Sequence, residues 1–432
     1  MNQTHIQTAR TTDQPNMKRV SFASFVGSAI EYYDFYIYGI AAALVFPHVF
    51  FPDLSPTVAT ISSFATFAVA FVVRPVGSAF FGHFGDRLGR KKTLVATLLI
   101  MGLSTTAIGL IPSAETIGAA APIILVFLRA LQGFAVGGEW SGAALLTTEY
   151  APEHKRGLYG MFPQIGVGTG LILSSSAFLL VSTVVDPKSD AFLAWAWRLP
   201  FLFSIVLVGI ALYMRLNIEE TPVFRDKART VAKSPLKELV RNQPKQTFLA
   251  AGSMMSIFTF TFMGGTYLTG YGRTELGHTY SLVLGANVAA GFAMVIFCAL
   301  SAMLCDHYGR RRVILTGFVL GLPWAFTVLP VLDTGSPVLF VLGIAATFAI
   351  LGISYGPMAS FIPELFATEY RYTGAGLAYN LAGVVGGATP PVLAGILLAT
   401  FGGLAIAALL VCAVLISLIC TLALPETKTR KL

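Results

Sequence analysis

Long apolar runs alternate with short polar loops along almost the whole chain. An apolar run of about 20 residues predicts a helix that crosses a membrane, because about that length is needed to span the hydrocarbon layer. Twelve such runs are present, at residues 20–46, 58–82, 92–112, 121–149, 159–185, 196–215, 247–270, 280–304, 313–332, 337–361, 374–400 and 402–424. The pattern therefore predicts an all-α membrane protein with twelve transmembrane helices.

The longest polar stretch between two apolar runs divides the twelve spans into two groups of six. This stretch contains three prolines and a mixture of charges, which is typical of a linker. We therefore expect a cytoplasmic N-terminal tail at residues 1–19, an N-terminal six-helix bundle at 20–215, a cytoplasmic linker at 216–246, a C-terminal six-helix bundle at 247–424 and a cytoplasmic tail at 425–432.

Composition and charge agree with a membrane protein. The 432 residues are 55% hydrophobic and 12% charged, whereas soluble proteins carry about 25% charged residues. If the spans alternate in direction, 24 of the 29 Lys and Arg residues lie on the side that holds both termini, and 3 lie in loops of the other side. This bias predicts that both termini are cytoplasmic. It also explains the net charge of +8 without a nucleic-acid partner, since such loops face anionic lipid.

A basic, glycine-rich loop occurs twice in the chain. Gly82–Lys92 follows the second span, and a near copy, Ser301–Arg312, ends the eighth. Three positions match at a constant offset of 220 residues: Asp86 with Asp306, Gly89 with Gly309, and Arg90 with Arg310. A second repeat, at an offset of 215, matches Glu149 with Glu364 and Arg156 with Arg371. Parallel six-span repeats of this kind describe one transporter architecture.

The repeated loops predict a gate rather than a catalytic site. Asp86 can cap the N-terminus of a helix in the other half or pair with Arg90, and either contact would hold one side shut. The loop lacks the spacing of a phosphate-binding loop. We expect a gating or structural role for Gly82, Asp86, Arg87, Gly89, Arg90, Glu149, Arg156, Asp306, Gly309, Arg310, Glu364 and Arg371.

The loop Gly82–Lys92 is similar to the signature loop of the major facilitator superfamily. Within that superfamily, Glu31–Phe35, Arg74–Gly77 and Arg129–Trp140 resemble the metabolite:proton symporter family, and the resemblance covers residues 20–425. It implies the major facilitator fold, with two pseudo-symmetric six-helix bundles. It also implies a symporter of the bacterial inner membrane that works by alternating access. The expected cargo is a small organic anion, such as shikimate or another hydroxylated or aromatic carboxylate, imported with protons.

The resemblance implies no cofactor and no metal. The expected partners are the organic anion, protons and the lipid bilayer, and the expected oligomeric state is a monomer. An enzyme is not expected, because the sequence shows no nucleophile–base pair, no cluster of metal ligands and no large extramembrane domain.

Five charged residues lie deep in predicted spans, and all of them are in the N-terminal half: Glu31, Asp34, Arg74, Arg129 and Glu139. Each costs about 2.5–3.5 kcal/mol to insert, so such residues are usually paired or functional. Glu31 and Asp34 are three residues apart on one helix and should share a face. Two ionised acids at this spacing repel each other, which favours a proton on one of them. We predict that Asp34, Glu31 and Glu139 couple transport to protons; the alternative is a permanent pair with a buried arginine.

The two buried arginines predict an anionic substrate. Arg129 offers a bidentate fork that could pair with Asp34 in the empty carrier and with substrate in the loaded one. Pro75 follows Arg74 and should bend the span so that the arginine points inward; the alternative is that Arg74 extends to lipid headgroups. Further candidates for the substrate site, which could instead pack between helices, are Tyr33, Gln132, Gln164, Tyr267, Tyr271, Asn287, Tyr355, Tyr379 and Asn380.

Two other transporter classes remain open. A proline or betaine osmolyte:proton symporter is the first, within the same family. Relatives of that kind carry a long C-terminal coiled coil, whereas this chain ends eight residues after Leu424. A drug-efflux antiporter is the second. Such proteins usually carry a Gly-Pro pair in the fifth span, where this sequence has Pro163 followed by Gln164.

Overall fold

Every regular element in the described part of the chain is helical. A computed structural model describes residues 17–88, 90–137, 139–149, 151–216 and 235–430, with their side chains except at 18–19, 82–92, 94, 215 and 235. The predicted sites Asp86, Arg87 and Arg90 lie outside the described side chains. Gly82 falls in the same stretch, and Gly89 lies outside the described residues altogether.

The helices follow the predicted spans closely. From first to twelfth, the spans are Met17–Leu44; Pro56–Leu88; Arg90–Ile108; Ala120–Val136 with Glu139–Glu149; Arg156–Val184; Leu199–Leu216; Pro244–Phe262 with Met263–Tyr267 and Leu268–Thr274; Tyr280–Tyr308; Arg310–Leu332; Pro337–Tyr355 with Met358–Glu364; Arg371–Ala382 with Gly383–Ala388 and Thr389–Phe401; and Gly403–Ala423. Between them lie the short helices Phe46–Phe50, Ala114–Ile117, Asp190–Ala194 and Pro235–Asn242, and 3-10 turns at Glu153–Lys155, Ala196–Arg198 and Thr368–Tyr370.

Ten helices in the described part are long and apolar enough to cross a membrane by length and composition. The other two predicted spans fall short for different reasons. Span 1 is long enough, but it carries Glu31, Asp34 and several tyrosines. The apolar part of span 3, Val95–Ile108, is shorter. Span 1 is nevertheless buried along most of its length, so the protein rather than lipid surrounds its charges.

Spans 7 and 11 change helix type near their middles. Spans 7 and 11 each contain one π-helical segment, at Met263–Tyr267 and Gly383–Ala388. Interruptions of this type are frequent at functional sites, because they free backbone groups and redirect side chains. Here they direct attention to the centre of the molecule.

Small residues bring the helices into close contact. A Cβ atom added at Gly133 of span 4 would lie 2.2 Å from the Ala70 carbonyl oxygen of span 2. Span 5 contacts span 1 through Gly166 and contacts span 8 through Gly168, where a Cβ atom would lie 2.7 Å from the Gly291 carbonyl oxygen. Close backbone approach is a common way to pack helices in membranes, where apolar burial alone gives little preference for a neighbour. Span 5 therefore links the two halves.

The interface between the halves is closed on the side that carries most Lys and Arg, which we call the basic face. The Asp306 carboxylate of span 8 accepts hydrogen bonds from the backbone N–H groups of Gly157 (2.9 Å) and Leu158 (3.0 Å), at the start of span 5. Arg371 of span 11 lies 3.9 Å from Glu149 of span 4. These contacts join one half to the other across the basic face.

The opposite face is closed as well. The Tyr280 hydroxyl, at the start of span 8, donates a hydrogen bond of 3.1 Å to the carbonyl oxygen of Leu44 at the end of span 1. The ring of Phe192 packs edge-on against Tyr280. Contacts among the described residues therefore hold both ends of the interface together, and the buried charges lie between them.

Candidate functional site

Asp34 lies at the centre of a hydrogen-bond network inside the N-terminal half. It is 1% exposed, and its carboxylate accepts hydrogen bonds from Thr105 of span 3 (2.8 Å) and Ser204 of span 6 (2.9 Å). Gln132 of span 4 donates to the Thr105 hydroxyl at 2.6 Å, and Arg129 donates to the Gln132 amide oxygen at 2.9 Å. Arg129 is thus linked to Asp34 through two neutral side chains, where the sequence predicted a direct pair.

Glu31 has different neighbours from Asp34. Its carboxylate lies 3.8 Å from the guanidinium of Arg74 in span 2, and both side chains are buried. The shared face that the sequence predicted for the two acids is therefore divided between separate partners. The alternative placement of Arg74 at the lipid headgroups is wrong, because the residue is 1% exposed. Span 2 continues as helix through Pro75.

Phe35 separates the two arginines. Its ring lies 4.3 Å from the Arg74 guanidinium carbon and 4.7 Å from that of Arg129. Arg74 also faces the ring of Phe71, and Arg129 faces that of Tyr38 at 4.0 Å. Aromatic faces attract cations, and the attraction grows when water is excluded. The rings therefore hold two positive charges in the interior without neutralising them.

Both guanidinium groups keep unused hydrogen-bond donors. Nε and Nη1 of Arg74, and Nε and Nη2 of Arg129, have no hydrogen-bond partner among the described residues. A buried donor without a partner costs about 1–3 kcal/mol, and more when it is charged. Such donors are a poor choice for structure alone. They suit an anion that brings oxygen acceptors into the site.

The C-terminal half contributes aromatic and amide groups opposite these charges. The hydroxyls of Tyr32 and Tyr379 lie 2.6 Å apart, and the Tyr379 ring is stacked on Trp140 of span 4. Asn380 donates to the Gly137 carbonyl oxygen of span 4 at 2.7 Å. Tyr379 and Asn380 therefore contact the N-terminal half close to the buried charges.

Two other predicted residues also join the halves. The Gln164 amide of span 5 accepts a hydrogen bond from the Trp140 indole at 3.0 Å and donates one to the Tyr355 carbonyl oxygen at 2.9 Å. Tyr355, of span 10, is buried next to Tyr32 and Tyr379. Glu139 begins the second part of span 4 and is also buried.

Four predicted residues lie away from this centre. Tyr33 donates to the Pro200 carbonyl oxygen on the far side of span 1, at 2.8 Å. Tyr271 donates to Asp333 within the C-terminal half. Asn287 donates to Thr269 of span 7 at 2.8 Å. Tyr267 packs against Phe64 and Tyr271. Each of these four side chains contacts a residue outside the charged centre. We therefore interpret them as contacts that hold neighbouring helices together.

Sequence reasoning missed five residues that shape the site: Tyr32, Phe35, Thr105, Trp140 and Ser204. Hydroxyl residues such as Thr105 and Ser204 occur throughout apolar spans, where they usually bond to their own backbone, so nothing singled them out. Trp140 and Phe35 belong to the segments that carry the family resemblance. Only the fold shows that one is stacked across the interface and the other lies between two cations.

The basic face holds the predicted gating residues of the C-terminal repeat together. Arg310 lies 3.3 Å from Asp306 and 3.5 Å from Glu364, and Gly309 between spans 8 and 9 has φ +101°, a conformation that favours glycine. Asp306 caps span 5 in the other half, the kind of contact that the sequence predicted for its repeat partner Asp86, whose side chain lies outside the described part of the structure. Arg156 donates to the Arg430 carbonyl oxygen at 2.9 Å, so the C-terminal segment joins the same network.

Comparison with known proteins identifies the family. The family model described as Major Facilitator Superfamily matches residues 24–391. The chain belongs to this superfamily. It is 43% identical over 423 residues to the inner membrane metabolite transport protein YhjE of Escherichia coli (strain K12), covering 96% of this chain and 95% of that protein. It is 40% identical over 394 residues to the shikimate transporter of the same organism, covering 89% of each.

A solved structure of the superfamily shares the fold. The proton:xylose symporter XylE bound to 6-bromo-6-deoxy-D-glucose superposes with a TM-score of 0.73 at 18% identity, covering 96% of this chain and 97% of that chain. The major facilitator fold predicted from the repeats is thereby confirmed. With these relatives, the chain is a multi-pass membrane protein and a metabolite transporter of the major facilitator type, not an enzyme.

Proposed function

We propose that the protein is a proton-coupled symporter that imports a small organic anion by alternating access. The observation that carries this proposal is the pair of buried arginines, Arg74 and Arg129, whose guanidinium groups keep unused N–H donors. A carboxylate supplies oxygen acceptors in the fork geometry that arginine prefers. The 40% identical relative is named a shikimate transporter, which supports a hydroxylated or aromatic carboxylate as the cargo.

The two acids of span 1 suit different parts of the cycle. Glu31 faces Arg74 at 3.8 Å, so an incoming substrate carboxylate competes with Glu31 for that arginine. Among the described residues, the Asp34 carboxylate accepts hydrogen bonds from the hydroxyls of Thr105 and Ser204, which can accept as well as donate when the acid gains a proton. We assign the coupling proton to Asp34 first and to Glu31 second, with the substrate carboxylate on Arg74.

Arg129 senses the charge on Asp34. When Asp34 is ionised, its negative charge attracts the Arg129 guanidinium, and the hydrogen bonds through Gln132 and Thr105 hold Arg129 in place. When Asp34 is protonated, that attraction is lost and Arg129 is available to an anion. Binding of a proton therefore favours binding of the substrate, as symport requires.

The distribution of Lys and Arg bears on the orientation of the protein in the membrane. The basic face holds the loops richest in Lys and Arg, which favours the cytoplasmic side of a bacterial inner membrane. On this basis both termini are cytoplasmic, the bundles comprise residues 20–215 and 247–424, and the protein acts as a monomer with one central site. The conformation in which both ends of the interface are in contact is then an intermediate between inward-open and outward-open states.

Uptake into liposomes tests the proposal. Purified protein is reconstituted, an inward-directed proton gradient is imposed, and accumulation of radiolabelled shikimate is measured. Arg74→Lys and Arg129→Lys keep the positive charge but lose the two-pronged guanidinium. Each should raise the shikimate concentration that gives half-maximal uptake by about 10- to 100-fold. Arg312→Lys, at an exposed position, is the matched control and should behave as the parent. If both interior variants transport with unchanged half-saturation, the anion site is wrong.

A zwitterionic osmolyte of the proline or betaine type is the second candidate. Glu31, which precedes Tyr32 in the sequence, could hold a cationic nitrogen together with the neighbouring rings of Tyr32 and Tyr36, while Arg74 holds the carboxylate. Competition separates the two. An anion carrier is inhibited by benzoate and ignores glycine betaine, whereas an osmolyte carrier shows the reverse order.

A further inference from the structure

Trp140 and Tyr379 form a parallel aromatic stack in the centre of the molecule. Their ring centroids are 4.2 Å apart and their planes differ by 8°. Both side chains are almost fully buried, at 4% and 3% exposure. Trp140 comes from span 4 of the N-terminal half and Tyr379 from span 11 of the C-terminal half, so the stack crosses the interface between the halves.

Each ring is held in place by a contact within its own half. The Trp140 indole donates to the Gln164 amide oxygen at 3.0 Å, which fixes the plane of the ring. The edge of Phe258 packs against Tyr379 with centroids 4.8 Å apart. The two flat faces therefore remain parallel without depending on each other, and such preorganised faces suit a flat ligand.

The stack must separate whenever the two halves move apart, because one ring belongs to each half. Separation exposes two parallel aromatic faces, and the cost of exposing them is offset if another flat ring takes the place between them. The charged end of the site is next to this place. The Tyr379 hydroxyl is bonded to Tyr32, the neighbour of Glu31, which lies 3.8 Å from Arg74.

We propose that Trp140 and Tyr379 are a ring clamp that selects substrates with a flat, unsaturated or aromatic ring next to a carboxylate. This rests on the proposed function, in which Arg74 holds the carboxylate. The clamp supplies the choice among organic anions, which the arginines cannot supply because they bind any carboxylate. Saturated rings are puckered, and they fit poorly between parallel faces.

Binding of two matched acids tests the clamp. Benzoate and cyclohexanecarboxylate have the same number of carbon atoms and one carboxylate each, and they differ in the flatness of the ring. Affinities are measured by isothermal titration calorimetry on the purified full chain. We expect benzoate to bind about tenfold more tightly. Trp140→Leu and Tyr379→Leu should reduce this ratio to about one. Trp324→Leu makes the same change outside the site and should leave the ratio intact.

Ring-keeping variants separate the clamp from a general loss of structure. Trp140→Phe keeps a ring but loses the bond to Gln164, and Tyr379→Phe keeps the ring but loses the hydroxyl. Both should retain most of the preference. The clamp is wrong if the parent binds the two acids equally, or if leucine and phenylalanine variants give the same ratio. Equal binding that is abolished by Arg74→Ala overturns the clamp alone, whereas binding of neither acid overturns the anion site as well.

Discussion

Asp306→Asn should loosen the basic face by an amount that the structure allows us to work out. The carboxylate of Asp306 accepts from two backbone N–H groups at the start of span 5 and lies 3.3 Å from Arg310. The amide keeps one acceptor oxygen, so one N–H group loses its partner and the ion pair with Arg310 is lost. A hydrogen bond to a charged group is worth about 1.5–3 kcal/mol. A loss of about 2 kcal/mol changes the ratio of open to closed basic face by about 30-fold.

A native cysteine reports this opening. Cys305 is fully buried where Gly157 of span 5 packs on it, and a Cβ atom at Gly157 would lie 2.5 Å from the sulfur. In a background in which the other three cysteines are replaced by serine, N-ethylmaleimide reacts with Cys305 only when the basic face opens. Because the open form is a minor population, the labelling rate is proportional to it. The rate in the Asp306→Asn variant should rise by the same factor, about 30-fold.

The matched control for this prediction is Asp333→Asn. Asp333 accepts a hydrogen bond from Tyr271 at the opposite face, so the substitution makes the same carboxylate-to-amide change without touching the basic face. Labelling of Cys305 in that variant should stay near the parent rate. A change of less than about twofold in Asp306→Asn would refute the reasoning, since it would mean that the cap contributes under about 0.5 kcal/mol.

Three further predictions concern the centre and the packing. Asp34→Asn keeps one acceptor oxygen and offers an amide N–H to the other of the two hydroxyls that Asp34 contacts, so the protein should fold and exchange labelled substrate across liposomes, while accumulation driven by a proton gradient falls at least about tenfold; retained accumulation would contradict the assignment. Phe35→Leu removes the ring between the two arginines and should weaken the dependence of substrate affinity on pH, whereas Phe35→Tyr should preserve it. Gly133→Ala should lower the melting temperature by several degrees because its methyl group meets the Ala70 carbonyl, and Gly209→Ala, which meets nothing within 4 Å, should not; equal melting temperatures would contradict the packing argument.

The number and order of the spans could be predicted because they depend on local composition. A span is a run of apolar residues, and it is recognisable without knowledge of its neighbours. The polar linker and the repeated loop predicted the two halves, and the repeat related Asp306 to Asp86, for which a cap was predicted. The breaks in spans 7 and 11 could not be predicted, because a π-helical segment is stabilised by what packs against it. Gly265 in span 7, for example, faces the ring of Tyr36 across the interface.

The charged residues of the site could be listed but not connected. Charge in a span is conspicuous, so Arg74, Arg129 and Asp34 were found directly. Their partners depend on the rotation of each helix about its axis, which a 3.6-residue period leaves uncertain by tens of degrees. Such a rotation decides whether Asp34 faces Arg129 or Thr105. For the same reason Tyr33 and Asn287 were predicted in the site, although their hydrogen bonds go to Pro200 and Thr269 and not to the buried charges.

The crossing of spans 5 and 8 at Gly168 and Gly291 has a mechanical consequence. The two backbones approach closely there, with the side chains of Ile172 and Met294 as the other near neighbours, so few side chains need to change rotamer when one half turns against the other. The two halves can therefore rotate against each other at this crossing, and one added methyl group would hinder the rotation. This crossing shares no residue with the buried arginines or the aromatic stack. Mutations can therefore change the rate at which the halves rotate and the choice of substrate independently. A lineage of such carriers can then acquire new substrates without changing the helix crossing about which the two halves rotate.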